Sequence, residues 1–308
     1  MGQDKTGRKR YHDFNSYLRG IFGCRVQKVA IDAGFTCPNR DGTHSWDGCV
    51  YCDAKGSGTG AWAQGRGIAE QIRTAVNGLR RRYHACRFLA YFQSFSNTYA
   101  SAARLRAAYD EALSIPEVVG LCIGTRPDCI DDEVLDLISS YKDRGMIWLE
   151  YGLQSAHDAT LARINRGHDV RCFFRAVEKT AQHGIPVCAH LILGLPGEDR
   201  QAIRETARRI SSLPLKGVKL HSQYIVRATT LARWYEQGDY RPWTREQYVE
   251  TVCDVLERIP EDWVIQRLTG DPPARGFVAP SWALEKQKTL RLIDRRLEQR
   301  GTRQGRLA

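Results

Sequence analysis

Three cysteines, Cys37, Cys49 and Cys52, share the polar loop that runs from Ala33 to Gly60. Their spacing is C-x11-C-x2-C. The close pair lets a turn aim two thiolates at one centre while the third arrives from across the loop. Three thiolates are one too few for a closed site. On a cubane iron-sulfur cluster they leave one iron without a protein ligand, open to a small molecule that brings its own amine and carboxylate. His44 offers a second reading, because C-x6-H-x4-C-x2-C closes a Cys3His zinc tetrahedron. The loop follows the apolar stretch VQKVAIDA, Val26 to Ala33, and precedes a helical pattern. It therefore stands at the carboxyl end of a first strand, where α/β folds place chemistry. Tyr51, directly before the last cysteine, supplies an aromatic face for a flat ligand such as adenine.

The elements that must position this loop alternate along the chain. VQKVAIDA precedes a helix near Ile68 to Tyr83, RFLAYFQ a helix near Ala102 to Leu113, and VVGLCIGT a helix from Asp132 to Lys142. MIWLEYGLQ and helices up to Gln182 follow, then VCAHLILG with a helix after Pro196, then VKLHSQYIV. The spacing of Val134, Ile138 and Tyr141 puts one apolar face on the helix of the third of these units. Strand-helix repeats with continuous apolar strands predict an α/β fold, a parallel sheet with helices outside, and six units make an incomplete barrel. Alternate strand residues then point into the lumen. Polar residues at those positions are Asp32, Gln93, Arg126, Glu150 with Gln154, His190, and Lys219 with His221 and Gln223. A lumen that receives several buried polar groups is either a site or an internally satisfied network, and the cysteine loop opens at the same end.

Residues 1–24 form a basic, aromatic lead-in whose Tyr11, Phe14, Tyr17 and Phe22 are expected to pack on a domain edge. The character changes after Val226. Two helices follow, the second with Tyr248, Val252, Val255 and Ile259 on a core face, then a strand near Val264 to Leu268. A last helix near Ser281 to Gln299 presents Leu290, Ile293 and Leu297 inward, and its basic tail is expected to fray.

With 308 residues the chain holds one barrel-like domain and a small extension. No apolar run reaches a membrane span, and the start, MGQDKTGRKRYHDF, has no apolar signal core, so a cytoplasmic protein is expected. Ten scattered cysteines then read as thiols or ligands rather than a disulfide framework. The net charge of +11, with arginines grouped at Arg80 to Arg82 and at Arg291, Arg295, Arg296, Arg300, Arg303 and Arg306, suits a polyanionic partner such as RNA. It equally suits a merely soluble arginine-rich surface.

The loop AGFTCPNRDG, with a C-x2-C and an aromatic before the last cysteine, resembles the radical S-adenosylmethionine (SAM) superfamily in its YhcC-type branch. TRPD at Thr125 to Asp128, EYGLQS at Glu150 to Ser155 and NRGH at Asn165 to His168 resemble the catalytic subunit of Elongator. The resemblance implies an incomplete (β/α)6 TIM-like radical SAM barrel at 25–226, with a small α+β carboxy-terminal extension at 227–308. It implies that Cys37, Cys49 and Cys52 carry a [4Fe-4S] cluster, at which SAM is reductively cleaved to a 5′-deoxyadenosyl radical. The usual glycine-glycine-acid segment reads FQSFSNTY here, which makes Gln93, Ser94 and Asn97 the candidates for the methionine amine. Thr125, Glu150 and Gln154 stand where relatives touch ribose or methionine, Tyr51 stands beside the adenine, and GLPGE at Gly194 to Glu198 borders it.

His190, Lys219 and His221 are the lumen candidates for catalysis, and Cys122 or Cys188 for a hydrogen relay. Arg227-Ala228-Thr229-Thr230 replaces a glycine-threonine pair of the relatives. Elongator's acetyltransferase domain has no counterpart, so acetyl transfer is not expected. The implied partners are tRNA or other RNA, with a wobble uridine as the target, and an electron donor such as flavodoxin or ferredoxin. Two alternatives stand beside this reading: the same radical chemistry on a small metabolite or cofactor precursor, and a non-catalytic zinc-stabilised RNA-binding protein.

Overall fold

A computed structural model describes residues 9–56, 58–273 and 275–308 of the chain, so the first eight residues of the lead-in lie outside the described residues. Seven parallel strands form one curled sheet. In spatial order these are β1 (Val26–Ile31), β2 (Arg87–Phe92), β3 (Val118–Thr125), β4 (Met146–Gln154), β5 (Val187–Leu193), β6 (Gly217–Ser222) and β8 (Val264–Arg267). The helices α2 (Ile68–Tyr83), α3 (Ala102–Leu113), α4 (Asp132–Ser139), α5 (Asp158–Arg163), α6 (Val170–Gln182) and α7 (Arg200–Ser211) connect the first six strands. Their start points are written in the sequence. Asp131, Asp169 and Asp199 each accept from the backbone amide three residues on and cap α4, α6 and α7.

The six strand-helix units form the expected incomplete parallel barrel, and a seventh strand from the carboxy-terminal extension adds to it. After the short β7 (Ile225–Val226), α8 (Thr230–Gln237) and α9 (Arg245–Arg258), the chain returns as β8 and pairs parallel with β6. Half of the extension is thus wall of the barrel. The other half, β9 (Phe277–Ala279) and α10 (Lys286–Gln299), pairs β9 antiparallel with β7 and packs α10 on α9. Arg200, Arg204 and Arg300 converge on the buried carboxylate of Asp254, which ties α7 and the segment after α10 to α9.

The seam between β8 and β1 is closed by side chains rather than by a ladder. Lys28 of β1 donates to Gln266 of β8 at 2.5 Å. Below it, α1 (Phe14–Phe22) plugs the lumen: Phe14 and Tyr17 meet the edge of buried Trp148 with ring centroids 6.2 and 6.0 Å apart. Of the lead-in aromatics expected on a domain edge, Phe14, Tyr17 and Phe22 instead pack into this cluster under the lumen, while Tyr11 packs against the main core.

The carboxy-terminal tail does not fray. Gln304 is 3% exposed; its amide donates to the Pro260 and Trp263 carbonyls at 2.7 and 2.9 Å, and its carbonyl accepts from the His12 amide. A polar side chain with three buried partners holds a segment that charge alone predicted to be loose. Ala228 introduces α8 at φ +62°, in the left-handed region that favours glycine. Ala228→Gly is accordingly expected to raise stability by up to about 1 kcal/mol in urea unfolding. An unchanged or lower midpoint contradicts the assignment of strain there.

Candidate functional site

At the carboxyl ends of the strands a cavity of about 520 Å³ opens into the lumen, and Cys37, Cys49 and Cys52 all line it. The other cysteines are absent from its lining. Cys122 and Cys188 are fully buried lower down, packed with Trp148 and Leu18 around the plug, so neither faces the cavity as a hydrogen relay would.

The cysteine loop is fixed by the two motifs that had no role from spacing alone. In NRGH, Asn165 donates to the Gly48 carbonyl at 2.8 Å and accepts from Asn39 at its own carbonyl at 2.6 Å. Arg166 donates to the Gly152 carbonyl at 2.7 Å and sets its Nη1 3.6 Å from the Cys49 sulfur. Gly167 is at φ +77°, and a Cβ there would fall 2.4 Å from Asn39, so glycine is required for the clamp to close. In TRPD, Arg126 forks onto Asp128 at 2.9 and 2.7 Å, and Asp128 accepts from His44 at 3.1 Å. His44 is thereby turned to a carboxylate instead of completing a tetrahedron. Among the described residues, no group of three or more His, Cys, Asp or Glu side chains converges tightly enough for a single ion. Arg40, reaching the Cys52 and Asp53 carbonyls at 2.7 and 2.9 Å, braces the last turn.

The electrostatics suit a thiolate set. Burial raises the Cys49 pKa, but the guanidinium charges of Arg166 and Arg126 outweigh it and hold the thiol below its ordinary value. Cys52, buried and beside Cys49, is pushed up to about 12, since two adjacent thiolates repel unless a cation sits between them. Among the described residues, five buried polar atoms on the lining find no partner: Asn39 Oδ1, Tyr51 Oη, Ser96 Oγ, Arg126 Nη1 and Gln223 Oε1. Orphans of this kind, on the wall of one cavity, fit a polar ligand. The donor set and the orphans together fit an iron-sulfur cluster with a zwitterionic nucleoside beside it. Phe95 and Gln154, also on the lining, sit at φ +61° and +75°, a strain of about 1–3 kcal/mol each that persists where function over-determines the backbone.

The sequence-derived residues divide. Tyr51, Gln93, Thr125, Glu150, Gln154, His190 and His221 line the cavity. Ser94 and Asn97, candidates that the resemblance supplied, do not: β2 ends at Phe92 and the chain turns over at Phe95. Ser94 lies directly under Gly58, and Asn97 donates to the Gly124 carbonyl at 2.7 Å behind the wall. Ser96 and Phe95 occupy the lining in their place. The GLPGE turn is also behind the wall, where Glu198 accepts from the Ser155 hydroxyl. Asp32 holds the Gly34 amide and stays out of the lumen.

Lys219 lies one layer below the lining. Its ammonium donates to the Tyr91 hydroxyl at 2.8 Å and to Glu150 Oε2 at 3.0 Å. Glu150 also accepts from His190 Nε2 at 2.8 Å and from Lys28. Its carboxylate is therefore taken by three protein donors, which makes it a hub of the lumen wall. Burial raises the Glu150 pKa, yet Lys219, Lys28 and His190 hold it well below the usual carboxylate range. Burial lowers Lys219 to about 7 against the pull of Glu150, with Lys28 adding to the drop.

The charge clusters are placed less suggestively. Arg80 to Arg82 end α2, which runs away from the cavity, so they stand at the opposite end of the sheet. Arg296, Arg300 and Arg303 form ion pairs with Glu250, Asp254, Glu257 and Glu261. Trp46 and Trp62, by contrast, are 75% and 47% exposed on the strand ends that carry the cysteines. No helix among the described residues is long and apolar enough to cross a membrane.

Comparison with known proteins agrees with this geometry. Residues 36–210 match the Radical SAM superfamily and residues 215–299 the Radical_SAM C-terminal domain. YhcC of Escherichia coli (strain K12) is 39% identical over 94% of this chain and 92% of its own. A tRNA uridine(34) acetyltransferase of Dehalococcoides mccartyi is 30% identical over 54% of this chain and 37% of its own. The solved structure of an archaeal Elp3 from Methanocaldococcus infernus superposes with a TM-score of 0.67 at 20% identity, covering 91% of this chain and 64% of that one, which establishes the shared fold. A lumen open at the strand ends, three cysteines on its wall and these matches along the chain lead to one conclusion: the protein belongs to the radical SAM superfamily and is a radical SAM enzyme.

Proposed function

We propose that Cys37, Cys49 and Cys52 hold a [4Fe-4S] cluster and that SAM occupies the same cavity, with tRNA, at a wobble uridine, as the substrate. The observation that carries the cofactor reading is that these three cysteines, and none of the other seven, line the cavity. When bound, such a cluster supplies the single electron that cleaves SAM and generates the 5′-deoxyadenosyl radical. The protein's own part is to bind, orient and enclose. Arg166 and Arg126 balance the negative charge of the thiolates. The unpartnered Arg126 Nη1 and Gln223 Oε1 provide a cation and an acceptor for the carboxylate and amine of a zwitterion. Thr125, Gln154 and Gln93 border the space for the ribose and methionine, and Tyr51 offers its ring to the adenine. The size of the cavity lies within the range of about 300–1,000 Å³ typical of small-molecule sites.

The RNA part rests on the relative named as a tRNA uridine(34) acetyltransferase, on the +11 charge, and on Trp46 and Trp62, whose exposed rings suit stacking on unpaired bases. An electron donor of the flavodoxin or ferredoxin class completes the reading, together with a cytoplasmic location. The domain boundaries proposed with it are 25–226 and 227–308, the second contributing β8 to the first. Binding of unmodified tRNA is expected to weaken steeply with salt, the logarithm of affinity falling linearly with that of salt concentration. No binding at low salt removes the RNA reading and leaves a small-molecule substrate.

A further inference from the structure

Two histidines face the cavity opposite the cysteine loop, and their neighbours fix which ring nitrogen carries hydrogen. His190 Nε2 lies 2.8 Å from Glu150 Oε2. Glu150 is ionised and can only accept, so Nε2 holds the hydrogen and Nδ1 is left as an acceptor. His221 Nε2 lies 3.1 Å from Arg267 Nη1. A guanidinium can only donate, so this Nε2 is the acceptor and the hydrogen sits on Nδ1. Both rings line the cavity, their centroids 6.2 Å apart, and neither Nδ1 has a protein partner among the described residues. Both imidazoles are also kept neutral. Burial, with Lys219 adding to it, lowers His190 to about 4 against Glu150, and burial with Arg267 and Lys219 holds His221 well below its ordinary value.

We infer that His190 and His221 are locked as opposite tautomers and form a specificity pair, an acceptor beside a donor, that reads a neutral amide or lactam edge of the substrate. Such an edge offers N–H to His190 and C=O to His221. A carboxylate offers two acceptors and leaves His190 facing a lone pair. Glu150 and Arg267 act as positioning residues, each setting a tautomer without touching the ligand. Lys28 and Lys219 serve the same end by keeping Glu150 ionised.

The inference deepens the nucleoside-substrate reading and rests on it only for the location of the substrate. The test uses the cluster-loaded protein in its resting state, labelled with 15N-histidine and assigned by comparison with His190→Gln and His221→Gln. Nitrogen shifts at pH 7 are expected to give the Nε2–H form for His190 and the Nδ1–H form for His221. Uridine is the binding probe and 3-methyluridine its control, because N-methylation replaces the edge N–H by a methyl group and keeps the ring and both carbonyls. Uridine is expected to shift both Nδ1 resonances. 3-Methyluridine is expected to bind at least about tenfold more weakly, since the His190 acceptor is left unpaired. Matching tautomers, a protonated ring, equal binding of the two nucleosides, or no response of either ring to uridine overturns the pair. SAM cleavage by the same sample is scored separately, so loss of this inference and loss of the radical chemistry are distinguishable.

Discussion

Changing Cys37, Cys49 or Cys52 singly to alanine is expected to lower reductive cleavage of SAM by more than about 100-fold, read as 5′-deoxyadenosine formed under reducing conditions. The physical ground is that three thiolates are the minimum for the proposed cluster; changes even beyond the ligands themselves cost metal sites about 10- to 100-fold. Cys122→Ala and Cys188→Ala are the matched controls. Those thiols are as buried as any in the chain but pack around the lumen plug, below the cavity. They are expected to keep cleavage within about twofold while losing some stability to the small voids they leave. Iron content separates loss of the cluster from loss of the fold: the three loop variants lose iron and retain their circular dichroism, whereas the controls keep both. Full cleavage in any loop variant contradicts the ligand set.

The second large effect is expected at Glu150. Its side chain is fully buried between Lys28, His190 and Lys219, and Glu150→Gln leaves buried cations without their counter-charge. Breaking such a group by removing one partner typically costs about 3–5 kcal/mol. Lys219 can shed its proton, since its pKa is already down to about 7, so the lower end, about 3 kcal/mol, is expected in urea unfolding at pH 7. The pH dependence has a definite sign. Glu150's folded pKa lies well below its ordinary 4.5, so its contribution is present above about pH 4.5 and is lost as pH falls through the folded value. The wild type is therefore expected to lose stability more steeply than the variant as pH drops from about 5 to 3. A difference under about 1 kcal/mol at pH 7, or parallel acid profiles, shows that the cluster is not the electrostatic hub described.

Much of this site was legible because strands alternate strictly. One parity on MIWLEYGLQ marked Glu150 and Gln154, and one parity on VKLHSQYIV marked His221 and Gln223; all four reach the cavity. Parity says nothing of depth, so Lys219 was grouped with the wall when it sits a layer beneath, bonded to Tyr91. Parity gives no guidance where a strand stops: Ser94 and Asn97, which the resemblance and not the alternation supplied, lie beyond Phe92 and off the cavity lining. Arg166 was within a quoted motif but carried no sign of its target, because its contact with Cys49 joins segments far apart in sequence. The adjacent glycine, a residue type that permits close approach, was the available signal. Strand β8 escaped assignment to the sheet because α8 and α9 intervene and only tertiary packing returns it beside β6. Grouped arginines suggested a footprint, yet several of the carboxy-terminal ones close ion pairs on Glu250 and Asp254. Composition counts charges without showing which are already matched.

The proposed cluster is held by three protein sulfurs and has its fourth iron open to SAM. Mössbauer spectroscopy of protein reconstituted with iron-57, with and without SAM, tests it most directly. The expected result is a four-iron spectrum in which SAM changes the signal of one iron and leaves three unchanged. A spectrum indifferent to SAM, or a protein that takes up zinc and no iron under anaerobic reconstitution, contradicts it.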